Sequence, residues 1–256
     1  MQPRPIARRT FLADLGRGVT ALAVIGVAAR PAIARAQSPS ASPVASPLVP
    51  ASPTASGAPD AVSWQRVNLG FVSAYVLVRG GEAAIVDTGT AGSADAIGAS
   101  LAGVGLGWDA VGHVVLTHHH ADHVGSAADV MERAPDAAAY AGAEDIPSIT
   151  VPRTITPVGD GDEVFGLRVI TVPGHTAGSI AVLDPVGSLL VAGDAMVTLG
   201  GPLAVSPAQF TDDMDEAKQS VIKLGTYTFE TLLVGHGDPI QGGASAQVAA
   251  LGATLG

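Results

Sequence analysis

The sequence contains no cysteine, and this absence removes a whole class of chemistry. Without thiols there is no disulfide framework, no thiolate metal ligand and no cysteine nucleophile. The lack of Cys after the N-terminal apolar run also excludes a lipoprotein anchor. Any bound metal must therefore be held by His, Asp or Glu.

Basic residues are scarce once the N-terminal segment is set aside. Residues 1–36 hold six of the 13 Lys and Arg and one of the 23 Asp and Glu, which leaves 7 basic and 22 acidic residues and a formal charge of −15. A surface of this charge repels phosphate backbones. The composition therefore argues against a nucleic-acid partner, and the expected partner is a small-molecule substrate.

The N-terminal apolar run is too short to span a bilayer, which takes roughly 20 residues. It extends from Val19 to Ala29, follows the pair Arg8-Arg9 and precedes the small-x-small site Ala34-Arg35-Ala36. Residues 1–36 therefore resemble a twin-arginine signal peptide. We expect export to the periplasm, cell envelope or medium, cleavage after Ala36, and no stable membrane span afterwards.

Residues 37–60 are rich in Ser, Pro and Ala in near-alternation, a composition that cannot bury a core. They predict an extended, solvated linker. Residues 61–256 are then expected to form one catalytic domain. In that part, apolar strands alternate with helical patterns, and helices are predicted over residues 93–106, 124–133, 212–224 and 245–255.

Four of the seven histidines lie within residues 118–123, directly after an apolar run. In an extended backbone His118 and His120 point to the same side, Asp122 continues that face, and His123 comes round as a helix begins. Imidazole and carboxylate donors suit zinc and related divalent metals. The stretch has too many donors for one tetrahedral ion and too few for two, so we expect further ligands downstream.

Three downstream candidates share one feature with this cluster, because each follows an apolar strand. His175 follows Val172, Asp194 follows Ala192, and His236 follows Val234. In sheet proteins, functional side chains gather where strands end and loops begin. We therefore expect the three side chains to meet the histidine cluster.

These motifs resemble those of the metallo-β-lactamase fold superfamily of metallohydrolases. The resemblance covers residues 61–256 and rests on the following motifs: Asp87-Thr88-Gly89, His118-x-His120-x-Asp122-His123, Gly174-His175, Gly193-Asp194 and Gly235-His236. It implies an α/β fold, a four-layer αββα sandwich of two mixed sheets with helices on both outer faces. It also implies that the site lies at one edge of the sandwich.

The resemblance also implies a set of ligands. His118, His120 and His175 would hold a first metal ion, Asp122, His123 and His236 a second, and Asp194 would bridge both. Asp87, with Thr117, would orient a ligand histidine by a hydrogen bond. His119 should point away, and His113 should be structural or exposed.

Two divalent ions roughly 3.5–4 Å apart can share a water molecule and lower its pKa towards neutrality. The expected ions are zinc, with iron or manganese as alternatives. The bridging hydroxide would attack a carbonyl or phosphoryl centre, and Asp122 and Asp194 are the predicted catalytic carboxylates, Asp122 accepting or relaying a proton.

The expected reaction is hydrolysis of a small ester, thioester or lactone, as in the glyoxalase II and lactonase-like branches. Two enzyme alternatives stay open: a zinc β-lactamase, although these usually place Cys or Ser at the position of Asp194, and a persulfide-dioxygenase-like oxidoreductase with a single iron. A non-catalytic binding protein is a third. Only 20 residues follow His236, where glyoxalase II has a helical domain, and no Tyr follows Asp194 closely, as it does in quorum-quenching lactonases.

Two segments are expected to form mostly apolar walls over the metals. One is the loop 69–73, which contains Phe71, and the other is 195–210, sixteen residues without a charge. The side chains predicted to line the pocket are Phe71, Met196, Leu199 and Leu203. With so few basic residues available, the substrate is expected to be largely neutral.

Overall fold

The computed structural model describes residues 60–256 of the chain. The predicted signal peptide and the predicted linker up to residue 59 lie outside the described residues. Among the helices of residues 60–256, none is long and apolar enough to cross a bilayer.

The described residues form fourteen strands and five α-helices. In chain order, the strands are β1 Ser63–Asn68, β2 Ser73–Arg79, β3 Glu82–Val86, β4 Val111–Leu116, β5 Ala138–Gly142, β6 Ile155–Val158, β7 Glu163–Val164, β8 Leu167–Thr171, β9 Ile180–Asp184, β10 Leu189–Val191, β11 Met196–Val197, β12 Ala204–Val205, β13 Thr231–Leu233 and β14 Ile240–Gln241. The helices are α1 Ala94–Gly103, α2 Ala121–Val124, α3 Ala127–Arg133, α4 Met214–Leu224 and α5 Ala244–Ala253. Short 3₁₀ turns cover Trp108–Ala110, Ile146–Ser148 and Ala208–Phe210.

Two six-stranded mixed sheets carry the architecture. The N-terminal sheet has the order β1-β2-β3-β4-β5-β6, and the C-terminal sheet has the order β14-β13-β10-β9-β8-β7. Strands β3 to β6 run parallel, as do β10 and β13, while the other neighbours pair antiparallel. Strands β11 and β12 form a separate two-stranded ribbon.

Three apolar clusters lie between four layers. Alternate residues of a strand face opposite sides, so Ile85 packs in the cluster that includes α1 and α3, and its neighbour Val86 packs in the cluster between the sheets. The third cluster joins the C-terminal sheet to Val221 of α4 and Val248 of α5. The order is helices, sheet, sheet, helices, so the predicted αββα sandwich is confirmed.

The ends of the parallel strands meet at one edge of the sandwich, where hydrogen bonds connect the two halves. Ile180 N–H donates to the carbonyl of Thr117 (2.9 Å), Ser73 N–H to that of Gly235 (2.9 Å), and the hydroxyl of Tyr75 to that of Val234 (2.7 Å). The loops after β3, β4, β8, β10 and β13 are therefore brought to a common edge.

The predicted helix over residues 124–133 differs from the structure, which has α2 and α3 with a break at Gly125-Ser126. At the break, the Ser126 hydroxyl accepts a hydrogen bond from Ser93 N–H (2.8 Å) and donates one to the carbonyl of Thr90 (2.6 Å). A Cβ on Gly125 would collide with backbone atoms of Ala91 and Ala121. Tertiary contacts, not helix propensity, decide the break.

Candidate metal centre

Asp87 orients the site through contacts with His123 and Thr117. It follows β3 in a left-handed conformation (φ 59°) that Asp tolerates better than most residues, and it is buried. Its carboxylate accepts hydrogen bonds from the N–H of Thr117 (2.7 Å) and its hydroxyl (2.8 Å) and lies 2.7 Å from Nδ1 of His123. This contact turns Nε2 of His123 towards the cluster. The Thr117 hydroxyl lies 3.1 Å from Nδ1 of His118.

A first ligand group consists of His118, His120 and His175, whose ligand atoms all lie within 4.8 Å of one another. Two of them come from the segment 117–123, here called the His-cluster loop, and the third comes from the segment 173–179, here called the His175 loop. Nδ1 of His120 lies 3.0 Å from Nε2 of His175. The group therefore depends on how these two loops are placed against each other.

A second ligand group consists of Asp122, His123 and His236, whose ligand atoms also lie within 4.8 Å of one another. The Asp122 carboxylate lies 3.3 Å from Nε2 of His236. On its other side, Nδ1 of His236 donates to the carbonyl of Phe71 (2.7 Å), and the Phe71 ring stacks on the imidazole with centroids 6.0 Å apart.

Asp194 lies between the two groups. Its carboxylate is 3.6 Å from Nε2 of His175, 3.4 Å from Nε2 of His123 and 3.1 Å from Nε2 of His236. It is buried, and Gly235 packs against it so closely that a Cβ there would collide with Oδ1 of Asp194. The structure thus brings all seven predicted ligands together at one edge.

The charges of these groups are set by burial and by one another. Burial alone would raise the pKa of Asp194, but the neighbouring charge and hydrogen bonds of His123 outweigh it and hold that pKa well below the ordinary value. Burial lowers the pKa of His175 to about 4 and that of His118 well below its ordinary value. Those two imidazoles are therefore neutral, the form that ligates metals.

In the second group, the neighbouring carboxylates raise the pKa values of both histidines. Burial alone would lower the pKa of His236, but hydrogen bonds to Asp122 and Asp194 raise it to about 10. His123 behaves similarly, because Asp194 and Asp87 outweigh burial and raise its pKa well above the ordinary value. Metal binding at such residues releases these protons.

Three buried polar atoms at the centre of the cluster fit a metal site. Nε2 of His118 has no hydrogen-bond partner among residues 60–256, and Nε2 of His123 and Oδ1 of Asp194, which lie 3.4 Å apart, have none besides each other. Unpaired buried polar atoms are rare in folded proteins and unfavourable by about 1–3 kcal/mol each. Nitrogen and oxygen donors that converge in this way are the donor set of zinc, iron or manganese.

Two histidines lie outside both ligand groups. Nδ1 of His119 is 3.1 Å from the carboxylate of Asp145. His113, within β4, packs its ring against Tyr140 and Phe165, with centroids 5.8 and 5.3 Å apart. Both placements agree with the sequence-based expectation.

The four residues predicted to line the pocket divide into two pairs. Phe71 and Leu199 are 56% and 62% exposed, and they lie beside His236 and Gly237 respectively. Met196 is fully buried in the core between the C-terminal sheet and its helices, and Leu203 packs against the same core. The prediction of Met196 as a pocket wall therefore needs correction, because this side chain has no exposed surface, whereas that of the partly buried Leu203 stays a prediction.

Sequence reasoning missed three residues around the site. The Arg66 guanidinium donates to Ser73 Oγ (2.8 Å), to the carbonyl of Gly237 (2.7 Å) and to Asp238 (2.8 Å), and so holds the loop after His236. Phe210 is 61% exposed and precedes Thr211, whose hydroxyl lies 3.4 Å from Nδ1 of His175. Asp145 is the third. Phe210 ends the uncharged segment and could have been suspected, whereas Arg66 and Asp145 act on residues far away in the chain.

Comparison with known proteins identifies a family and several relatives of this chain. The family model of the metallo-β-lactamase superfamily matches residues 67–236. The probable metallo-hydrolase YflN of Bacillus subtilis (strain 168) is 29% identical over 178 residues, 50% of this chain and 65% of that protein. A hydroxyacylglutathione hydrolase of Thermosynechococcus vestitus is 38% identical over 109 residues, 40% of this chain and 42% of that enzyme. The matches thus span less than two thirds of the length of either relative.

Solved structures show the same architecture. A metallo-β-lactamase family protein from Thermus thermophilus has a TM-score of 0.61 at 25% identity, over 76% of this chain and 77% of that one. TTHA1623 in a di-iron-bound form has a TM-score of 0.57 at 26% identity, over 69% and 93%. The family model covers well over half of the chain, and we conclude that the chain belongs to the metallo-β-lactamase superfamily, with relatives that are named metallo-hydrolases.

Proposed function

We propose that the protein is an exported hydrolase that uses two zinc ions to cleave a small, largely neutral ester, thioester or lactone. The observation that carries the proposal is the convergence of seven His and Asp side chains in adjoining ligand groups, where Nε2 of His118 is buried without a hydrogen-bond partner in the described residues. The proposal of export rests on the sequence of residues 1–36 alone, and iron or manganese would suit the same donors.

In this proposal the first ligand group would hold one ion and the second group the other, and the Asp194 carboxylate, which lies between the groups, would be available to both. When bound, the ions supply a water molecule of lowered pKa and polarise the substrate carbonyl. A hydrogen bond from His236 holds the pKa of Asp122 below its ordinary value, against the opposing effect of burial. Asp122 is therefore ionised near neutral pH and available to accept a proton at its carboxylate.

The surroundings of the site favour a neutral substrate with an apolar part. Phe71, Leu199 and Phe210 are all exposed, and each adjoins a segment that carries a ligand. The guanidinium of Arg66 lies close to the loop after His236, but Asp238 neutralises it. It is therefore not free to bind an anionic substrate group.

The relatives named hydroxyacylglutathione hydrolase make an acyl-glutathione thioester one candidate within this substrate class. The exposed apolar side chains beside the ligands, and the pairing of Arg66 with Asp238, favour esters and thioesters whose leaving group is smaller or less charged than glutathione. Both are included in the test below.

The proposal is tested with the chain that begins at Gln37, purified and loaded with zinc. Its metal content is measured, and it is assayed on a panel of esters, thioesters including an acyl-glutathione, lactones, β-lactams, phosphodiesters and sulfate esters. We expect two ions per chain and the highest kcat/KM on a neutral ester, thioester or lactone. Preference for a phosphodiester or a β-lactam, or oxygen uptake with a persulfide by an iron-loaded sample, would refute it.

A further inference from the structure

Asp145 is a buried carboxylate that does not belong to either ligand group. It follows β5, which pairs in parallel with β4 in the register Leu116 with Ala141. The C-terminal ends of these two strands therefore lie side by side, and Asp145 comes next to the His-cluster loop. Its exposed fraction is only 1%.

The carboxylate of Asp145 joins the two loops that build the first ligand group. One oxygen, Oδ2, accepts a hydrogen bond from the N–H of His119 (2.8 Å), in the His-cluster loop, and one from the hydroxyl of Thr176 (2.7 Å), in the His175 loop. The other oxygen, Oδ1, accepts from the N–H of Gly178 (2.8 Å). A single side chain thus bonds to residues adjacent to His118, His120 and His175.

The residues around Asp145, where the His175 loop meets the end of β5, are closely packed. A Cβ on Gly178 would collide with the backbone nitrogen of Asp145, and a Cβ on Gly142 would collide with the carbonyl of Gly178. Thr176 is further held by Ser179, whose hydroxyl lies 2.8 Å from that of Thr176. The His175 loop therefore has little freedom to move relative to β5.

We propose that Asp145 is a positioning residue that sets the spacing between His175 and the pair His118 and His120, and thereby the metal affinity of the first ligand group. The separation of 3.0 Å between Nδ1 of His120 and Nε2 of His175 spans the two loops that Asp145 connects. A carboxylate that accepts from two backbone N–H groups and a hydroxyl fixes their direction as well as their distance. The inference rests on the proposed metal site, but not on the substrate.

The test is a titration with Zn²⁺ alone against a chromophoric chelator, for the wild-type chain and for Asp145→Asn. Asparagine keeps the size of the side chain but offers one acceptor oxygen in place of two. Residues that support ligands typically change metal affinity by about 10- to 100-fold when they are replaced. We expect the dissociation constant of one of the two sites to rise by about that factor and the other to stay within about twofold.

Co²⁺ substitution gives a second readout that does not depend on turnover. We expect the visible absorption of the Co²⁺-loaded variant to change for one site, because the ligand geometry around that ion has changed. A merely structural role of Asp145 would lower the melting temperature and leave both the affinities and this spectrum as they are in the wild type.

Asp184 offers a matched control. It is also buried, and its carboxylate also accepts three hydrogen bonds, from Val62 N–H (2.9 Å), from Arg79 (3.0 Å) and from Val186 N–H (3.2 Å). It ends β9, which runs antiparallel to β8 and β10, so it lies at the edge opposite to the site. Asp184→Asn should reduce stability without changing the affinity of either metal site.

A milder variant covers the case in which Asp145→Asn does not fold. Thr176→Val removes one of the donors to Asp145 while keeping the shape of the side chain, and it should weaken the same site by a smaller factor. The inference is wrong if both affinities stay within twofold of wild type in the folded variants, or if Asp184→Asn weakens metal binding equally. If the wild-type chain binds no zinc, the proposed function fails as well.

Discussion

Phe71 lies beside the proposed second metal site and is the side chain with which a substrate should make its main apolar contact. The residue is 56% exposed, and its ring stacks on the imidazole of His236. Of the roughly 200 Å² of a Phe side chain, about 110 Å² is therefore free, and a flat substrate group would cover about half of that. At about 25 cal/mol per Å², the contact is worth about 1.4 kcal/mol, which corresponds to about a tenfold change in KM.

Phe71→Ala should therefore raise KM for an apolar ester about tenfold, with kcat within about twofold, because a contact made equally in the ground state and the transition state is lost. The orientation of His236 should survive, since it is held by the backbone carbonyl of Phe71 and not by the ring. The assay compares esters of increasing acyl length, and the effect should grow with length. Val186→Ala, 50% exposed at the opposite edge, is the control. An unchanged KM, or a large fall in kcat alone, would refute the reasoning.

Three further changes test the rest of the site and the export signal. Asp194→Ala removes the carboxylate that lies within 3.6 Å of three histidines. Metal content measured by mass spectrometry should fall from two ions to at most one per chain, and turnover should be lost. Two retained ions would contradict the proposed bridging role of Asp194. Asp87→Asn disturbs the contact with Nδ1 of His123, so zinc affinity should fall about 10- to 100-fold in a chelator competition. An unchanged affinity would contradict the role of Asp87 in orienting His123. Replacing Arg8 and Arg9 together by Lys should block export in a cell-fractionation assay, and export of the double variant at the wild-type level would point to another route.

The main apolar strands and the meeting of the candidate ligands at their ends could be predicted from the sequence, because both depend on local patterns. Val114-Val115-Leu116 is an apolar run with buried residues on both faces, as expected of a central parallel strand. The histidines that follow it share a face because of the two-residue period of the backbone. The motif glycines allow close packing at the site, since a Cβ on Gly235 would collide with Asp194 and His123, and one on Gly193 would collide with Thr117.

The parts that could not be predicted depend on contacts between distant residues. Strand β5 has the sequence Ala-Ala-Tyr-Ala-Gly, whose small residues carry little strand signal, and it forms because β4 and β6 flank it. Asp145 lies in a loop of mixed composition, and its partners are 26 to 33 residues away. The burial of Met196 depends on the core that it shares with Val221 of α4 and Val248 of α5, residues distant in the chain.

The hydrogen bonds that connect the two halves of the sandwich at the site have a consequence for the order of folding. The ligands come from both sheets and from strand ends spread over residues 116–236, so the complete set exists only after the sheets have docked. A metal ion that binds only this docked state would add its binding free energy to the stability of the docked arrangement of the N-terminal and C-terminal sheets. Removal of the ions should therefore first weaken the packing between the two sheets. The protein should then unfold and be cleaved by proteases faster when metal is scarce.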